Sequence, residues 1–225
     1  MIEAFLFDLD GVIIDSEKYN LFYKRELLKM LGYNLSDDVI IKSFGLGKKE
    51  ASDYYYEITG NYEIYEDLRE YRRTMMKKII KKNGLPLKEG ANDVLDYLKT
   101  KGYKLGLVTS SEKSLLEFYM QFSDIFKYFD VIVTNDLVKR GKPHPDPYQM
   151  ALKILGVEAQ NGLAIEDSYN GILSAKGANL RSVYCKDIVK LNCKEIQKAD
   201  FLINSLKELK DIEKEIKNEN SKKDI

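Results

Sequence analysis

Six short apolar runs alternate with helix-like patterns along this chain, and one long strandless stretch interrupts them near the start. The runs lie at 4–9, 103–109, 129–134, 163–166, 181–185 and 201–204. Between the later runs the apolar spacing changes to that of helices. Val94, Leu95 and Leu98 share a face before Gly102, and Leu115, Leu116 and Tyr119 follow a Ser110-Ser111 cap. Asp146-Pro147 makes an N-cap and N1 pair ahead of Tyr148, Ala151, Leu152 and Leu155. Strand–helix–strand repetition leaves few options: the expected fold is α/β, a doubly wound parallel sheet with helices on both faces.

The interruption covers residues 16–83. Tyr19, Phe22, Tyr23, Leu27, Met30 and Leu31 keep helical spacing until Gly32. Ile64, Leu68, Tyr71, Met75 and Ile79 do so until Asn83-Gly84, and Pro86 bars continuation. These stripes are expected to form the core of a helical bundle inserted after the first strand. Residues 1–15 and 84–206 then form the sheet domain, 16–83 a cap, and 207–225 a Lys/Glu-rich tail expected to be a solvated helix that frays into disorder. An insertion here leaves and re-enters near strand C-terminal ends, where open α/β sheets bind ligands. It is placed to act as a lid.

Bulk properties narrow the partners. Lys plus Arg equals Asp plus Glu, 36 each among 225 residues, which argues against nucleic acid as a main partner. Cys185 and Cys193 suit a reducing compartment better than a disulfide framework. Asp8 and Asp10 break the N-terminal apolar run, so it does not read as a signal peptide, and no apolar stretch approaches membrane-spanning length. A cytoplasmic monomer that meets neither membrane nor nucleic acid is expected.

The first run ends in Phe7-Asp8-Leu9-Asp10-Gly11-Val12. Strand alternation sends both aspartates toward one side, where carboxylates some 4 Å apart repel by about 4 kcal/mol at a surface-like dielectric. A cation would relieve that cost; a plain Asp-Gly turn is the competing reading. Three other strand ends carry polar groups. Thr109-Ser110-Ser111 offers hydroxyls and helix N-terminal amides suited to a phosphate, or an ordinary serine cap. Gly141-Lys142-Pro143 holds a lysine between Gly and Pro, and Glu166-Asp167-Ser168 pairs acids that suggest a hard-cation site. Asp8, Asp10, Thr109, Lys142 and Asp167 therefore fall at one edge of one parallel sheet. Such a set binds a divalent cation and a phosphoryl group and offers a carboxylate nucleophile. Rival chemistries lack parts: His144 is the only histidine, too few for a Ser-His-Asp or zinc site. Gly45-Leu46-Gly47-Lys48-Lys49 fails the Walker pattern, because Lys42 stands where its first glycine belongs and Lys49 where Ser or Thr belongs.

With these motifs the chain resembles the haloacid dehalogenase superfamily, in the branch with a helical cap after the first strand that includes β-phosphoglucomutase and many sugar-phosphate phosphatases. The likeness rests on residues 7–16, 107–111, 141–148 and 165–168, in that order, and spans nearly everything before the tail. It implies a Rossmann-like core, an aspartyl-phosphate on Asp8, and Asp10 as the acid and base. It implies that Thr109 and the Ser110 amide hold phosphate oxygens and that Lys142 offsets charge. It also implies Mg²⁺ bound by Asp8, the Asp10 carbonyl and Asp167, with help from Glu166. Gly47 and Lys48 or Lys49 sit where such caps carry a substrate-recognition loop, and Lys77 is a further candidate of that kind. Asn20 replaces the His that the sugar mutases share, and Lys48 and Lys49 replace an Arg-containing loop, so hydrolysis of a small phosphorylated metabolite, a sugar phosphate, is favoured over mutase activity. A non-enzymatic phospho-aspartate signalling domain is a weaker alternative, since such domains lack a helical insertion like 16–83.

Overall fold

The structure, a computed structural model, describes residues 1–223, the last five of these by backbone alone; the final two residues of the tail lie outside the described part. β1 (Ala4–Phe7) is followed by α1 (Glu17–Met30), α2 (Asp37–Ile41), α3 (Lys48–Thr59) and α4 (Ile64–Asn83). The chain then alternates through α5 (Ala91–Thr100), β2 (Lys104–Val108), α6 (Lys113–Met120), β3 (Val131–Val133) and α7 (Asp146–Leu155). β4 (Gly162–Glu166), α8 (Tyr169–Gly177), β5 (Arg181–Cys185), α9 (Cys193–Ile196), β6 (Phe201–Ile203) and α10 (Leu209–Lys223) complete it.

The six strands form one sheet in the order β3-β2-β1-β4-β5-β6, every neighbouring pair parallel. The fold is thus the doubly wound α/β sheet expected from the alternation. β1 is central and fully buried, and its side chains alternate between two cores. Phe5 and Phe7 join Leu95, Leu98 and Leu107 on one face, while Ala4 and Leu6 join Tyr148, Ala151 and Leu152 on the other. The chain leaves β1 for the β2–β3 side and later returns to the β4–β6 side. The C-terminal end of β1 is therefore the switch point where such sheets open a ligand crevice.

The four helices after β1 bundle around Leu28, Ile40, Phe44, Tyr55, Ile64 and Leu68. Their entry and exit lie side by side: the Asp15 N–H donates to the Pro86 carbonyl and the Lys88 N–H to the Ile13 carbonyl, each at 2.9 Å. α4 buries Ile64 and Leu68 of its expected face, but further along Met76 and Ile80 are buried and Met75 and Ile79 only partly so. The expected face of α1 is buried in part: Tyr23 is buried and Tyr19 and Leu27 are partly so. Phe22, Met30 and Leu31 are exposed, and the inward face is Asn20, Tyr23, Lys24 and Leu28. Apolar spacing missed part of that face because two polar residues lie on it.

The tail also departs from expectation. Residues 209–223 are helical, and Leu209, Glu213 and Ile216 are buried against the sheet domain. Tyr97 and Tyr103 donate hydrogen bonds to the two Glu213 oxygens at 3.1 and 2.5 Å. A Lys/Glu-rich composition hid three inward positions at helical spacing. α6 and α7 also start differently from the reading of their caps: Glu112, not Ser110 or Ser111, caps α6, and Asp146 is the first residue of α7, with Pro145 before it.

Candidate active site

Asp8 extends β1 by one rung, its N–H donating to the Ile165 carbonyl at 2.9 Å. Alternation turns its carboxylate toward the face of Leu6, where Tyr148 lies. There Lys142 waits, delivered by the loop between β3 and α7. Its Nζ donates to Asp8 Oδ1 at 2.5 Å and to the Val108 carbonyl at 2.8 Å, and lies 2.6 Å from Glu166 Oε1. The same Glu166 oxygen accepts a hydrogen bond from the Tyr148 hydroxyl. One buried ammonium thus ties together the ends of β1, β2 and β4.

Asp167 follows Glu166, and a carboxylate oxygen from each of Asp8, Glu166 and Asp167 lies within 4.8 Å of the others. Three carboxylates against one ammonium leave an excess of negative charge in a dry site. Burial first, with Glu166 and Asp10 adding to it, pushes the Asp8 carboxyl up to about 7 against the pull of Lys142. Burial, then Asp8, Glu17 and Glu166, holds the Asp167 carboxyl well above the usual carboxylate range. Burial opposes charge on Lys142, but Asp8 and Glu166 outweigh it and keep the amine protonated above its ordinary range. An all-oxygen donor set with surplus negative charge fits a hard divalent cation. Asp8 and Glu166 each give one oxygen to Lys142, and Glu166 Oε2 is buried with no hydrogen-bond partner among the described residues.

Asp10 points elsewhere. Its carboxylate accepts hydrogen bonds from the hydroxyls of Ser16 at 2.7 Å and Ser111 at 3.1 Å, which fixes it at the rim between cap and core. Thr109 is buried; its N–H donates to the Val133 carbonyl and its Oγ1 accepts from the Ser111 N–H at 3.0 Å. Ser110 is exposed beside Ser111 in a cavity of about 110 Å³ between cap and core. Asp8, Asp10, Thr109, Lys142, Glu166 and Asp167 are therefore brought to one sheet edge as the strand ends implied.

The cap candidates are not. Gly47 caps α3, its N–H donating to Glu50 Oε2 at 3.0 Å. Lys48 pairs with Glu66 at 2.6 Å, and the Lys77 ammonium lies 5.4 Å from the centre of the Phe118 ring. None of these contacts is with a strand-end residue. What faces the crevice instead is Arg69, Arg72 and Arg73 of α4, which line the cavity with Ser110 and Ser111. Their i, i+3, i+4 spacing was visible in the sequence, but an isolated helix shows charges on any face. The loop of Gly45 does meet the core, since its carbonyl accepts from Asn170 Nδ2 at 2.7 Å.

The inward polar face of α1 also borders the site. Asn20 Nδ2 donates to Glu17 Oε2 at 3.1 Å, and burial and Asp10 push the Glu17 carboxyl up against the pull of Arg72. Lys24 is buried, donates to Ser43 Oγ at 3.0 Å and lies 4.6 Å from the centre of the Phe44 ring. Burial and Arg72 push its amine down to about 7, with Glu17 opposing. The folded chain therefore gives up this proton near pH 7, whereas the unfolded chain keeps it to about 10.4. Protons are then bound more by the unfolded state across that window, so stability rises with pH from about 7 toward 10. Lys24→Met should be more stable than wild type at pH 7, by on the order of 2 kcal/mol, with the difference shrinking at pH 9. Urea denaturation at the two pH values measures it.

The fold and this carboxylate–lysine centre define a capped α/β enzyme. Residues 5–185 match the family described as Haloacid dehalogenase-like hydrolase, and the chain belongs to that family of hydrolases. It is 29% identical to a Thermotoga maritima protein named Phosphorylated carbohydrates phosphatase, over 92% of this chain and 100% of the relative. It is 28% identical to Pyrophosphatase PpaX of Bacillus cereus, over 92% and 94%. Among solved structures it is similar to the β-phosphoglucomutase of Clostridium difficile, with 28% identity, a TM-score of 0.75, and 98% and 99% of the two chains covered. Among the described residues no helix is long and apolar enough to cross a membrane.

Proposed function

We propose that this chain is a Mg²⁺-dependent phosphatase that hydrolyses a small phosphomonoester, a sugar phosphate, through an aspartyl-phosphate on Asp8. The observation that carries this reading is the Lys142 ammonium held between Asp8 and Glu166, beside Asp167. Asp8 is buried at a strand end with one oxygen on Lys142, which leaves the other to attack phosphorus. The P–O bond to the leaving group breaks as the Asp8 O–P bond forms, and Asp10 donates its proton to the departing alkoxide. Asp10 then takes a proton from water as the hydroxide displaces Asp8, which regenerates both carboxyl groups and releases phosphate. Ser16 and Ser111 hold Asp10 for both steps. Thr109 and the Ser110 amide serve the phosphate oxygens, and Lys142 offsets the charge that builds between phosphate and Asp8.

Asp8, Asp167 and the Asp10 carbonyl would hold the ion, with Glu166 behind them. When bound, a divalent cation supplies the positive charge that lets a phosphate dianion approach these carboxylates.

The substrate class draws on the phosphatase named for phosphorylated carbohydrates among the relatives. The similarity to a phosphoglucomutase gives a second reading, phosphoryl transfer between positions of one sugar. Asn20 weighs against it: its amide is engaged with Glu17 and has no titratable proton to exchange. A phosphate-release screen over sugar phosphates, nucleotides and phosphoglycolate tests the proposal. Release is expected from sugar phosphates, should fall to background with excess chelator, and should return on adding Mg²⁺. A coupled assay for glucose 6-phosphate formed from β-glucose 1-phosphate should stay silent. Glucose 6-phosphate formation without phosphate release, or release that chelator leaves untouched, would contradict it.

A further inference from the structure

Lys24 of α1 is a buried amine that the reaction sequence above does not use. Its Nζ donates to Ser43 Oγ at 3.0 Å and lies 4.6 and 5.6 Å from the centres of the Phe44 and Tyr55 rings. Among the described residues no carboxylate comes within 4.0 Å of it. Ser43 is fully engaged in turn. Its Oγ donates to the Ile40 carbonyl at 2.8 Å and accepts from Lys24 and from the Tyr55 hydroxyl, 2.9 Å away. A serine oxygen has one proton and two lone pairs, so all three are spent. Lys24 on α1 thereby joins Ser43, just after α2, to Tyr55 on α3. Two residues on, the cap touches the core. Gly45 has a φ of 72°, and a Cβ there would lie 3.4 Å from Ser168 Cβ. The Gly45 carbonyl accepts from Asn170 Nδ2 at 2.7 Å. Ser168 caps α8 and Asn170 stands in its first turn, directly after Asp167.

A buried ammonium with one hydrogen bond and no counter-charge destabilises a fold, so packing alone gives no reason for a lysine here. We propose that Lys24 is a positioning residue: by holding Ser43 it seats the Gly45 turn on α8 and so fixes the closed cap around bound substrate. The proposal takes its substrate from the phosphatase reading above; the contact itself does not depend on that reading. The amine titrates within the working range, since burial and Arg72 of α4 push it down to about 7 against the pull of Glu17 on α1. Tyr55 of α3 stays neutral, its hydroxyl pushed up by burial to about 12, and from the α2 side the amine meets only the uncharged Ser43 and Phe44 among the contacts named. The charged grip on Ser43 is therefore present at pH 6 and lost at pH 9.

Hydrogen–deuterium exchange and steady-state kinetics on the full-length protein test it together. At pH 6, with no substrate present, exchange of the peptide spanning residues 41–49 should be about tenfold faster in Lys24→Met than in wild type. Asn170→Ala removes the Gly45 contact and should act alike, and the double variant should add nothing further. On a phosphomonoester found in the screen, Lys24→Met should raise KM about tenfold at pH 6, with a smaller change in kcat. The ratio of variant to wild-type KM should approach one at pH 9, where wild type has lost the same charge; taking the ratio cancels the titration of the substrate. Loop exchange equal to wild type overturns the proposal. So does a KM ratio that stays constant with pH, which marks lost packing, and so does additivity with Asn170→Ala. A wild-type protein that hydrolyses no phosphomonoester strikes at the function proposed above, while the exchange measurement still decides the role of Lys24.

Discussion

Asp8→Asn should abolish turnover, with kcat down by more than about 10⁴-fold, while the protein folds as before. Removing a nucleophile costs most of the rate, because orientation and charge stabilisation cannot replace the covalent step. The fold should survive because Asn keeps the shape of Asp and its side-chain oxygen can still accept from Lys142, which donates to Asp8 Oδ1 at 2.5 Å. Burial already pushes the Asp8 carboxyl up to about 7, so the native charge adds little stability that Asn would forfeit. Steady-state kinetics on a phosphomonoester found in the screen, with circular dichroism and a urea titration beside them, separate loss of chemistry from loss of fold. Residual hydrolysis within tenfold of wild type would remove Asp8 from the nucleophile's place.

Lys142→Met should damage both activity and stability. The lysine side chain is 5% exposed and bonded to Asp8, Glu166 and the Val108 carbonyl. Its loss leaves two buried carboxylates without their counter-charge and a strand-end carbonyl without its donor. Breaking a buried pair by deleting one partner costs about 3–5 kcal/mol, and that is the expected drop in unfolding free energy for the metal-free protein. Activity should fall by more than about 10³-fold, since charge stabilisation carries most of phosphoryl transfer. Saturating Mg²⁺ should restore part of the stability and little of the activity, because an ion can neutralise the carboxylates without standing where the ammonium stood. A variant as stable as wild type in chelator would show that the three-way contact of Lys142 is not what joins these strand ends.

The strand ends were legible in the sequence because each sits where an apolar run stops and a polar residue or Gly begins. Phe7-Asp8 and Ile165-Glu166-Asp167 are such places, and a parallel sheet brings their C-terminal ends together whatever the loops do. Residues whose roles depend on how separate elements dock were not legible. Lys24 reads as a solvated lysine until α2 and α3 close over it with Ser43, Phe44 and Tyr55. The glycine-lysine loop drew notice by its motif, yet Lys48 is turned to Glu66, and the arginines of α4 line the crevice in its place. In the tail, Leu209, Glu213 and Ile216 were outnumbered by charge, although their spacing lays them on one face of α10.

The most direct measurement is the position of the phosphoryl group during turnover. Protein mixed with substrate and Mg²⁺, quenched and reduced with borohydride, converts an aspartyl-phosphate into homoserine, which peptide mass spectrometry places in the chain. Homoserine at position 8, absent without substrate and absent with chelator, is the expected result. Phosphate found on a serine, threonine or His144, or turnover with no reducible acyl-phosphate at position 8, would contradict a phosphoryl group captured by Asp8.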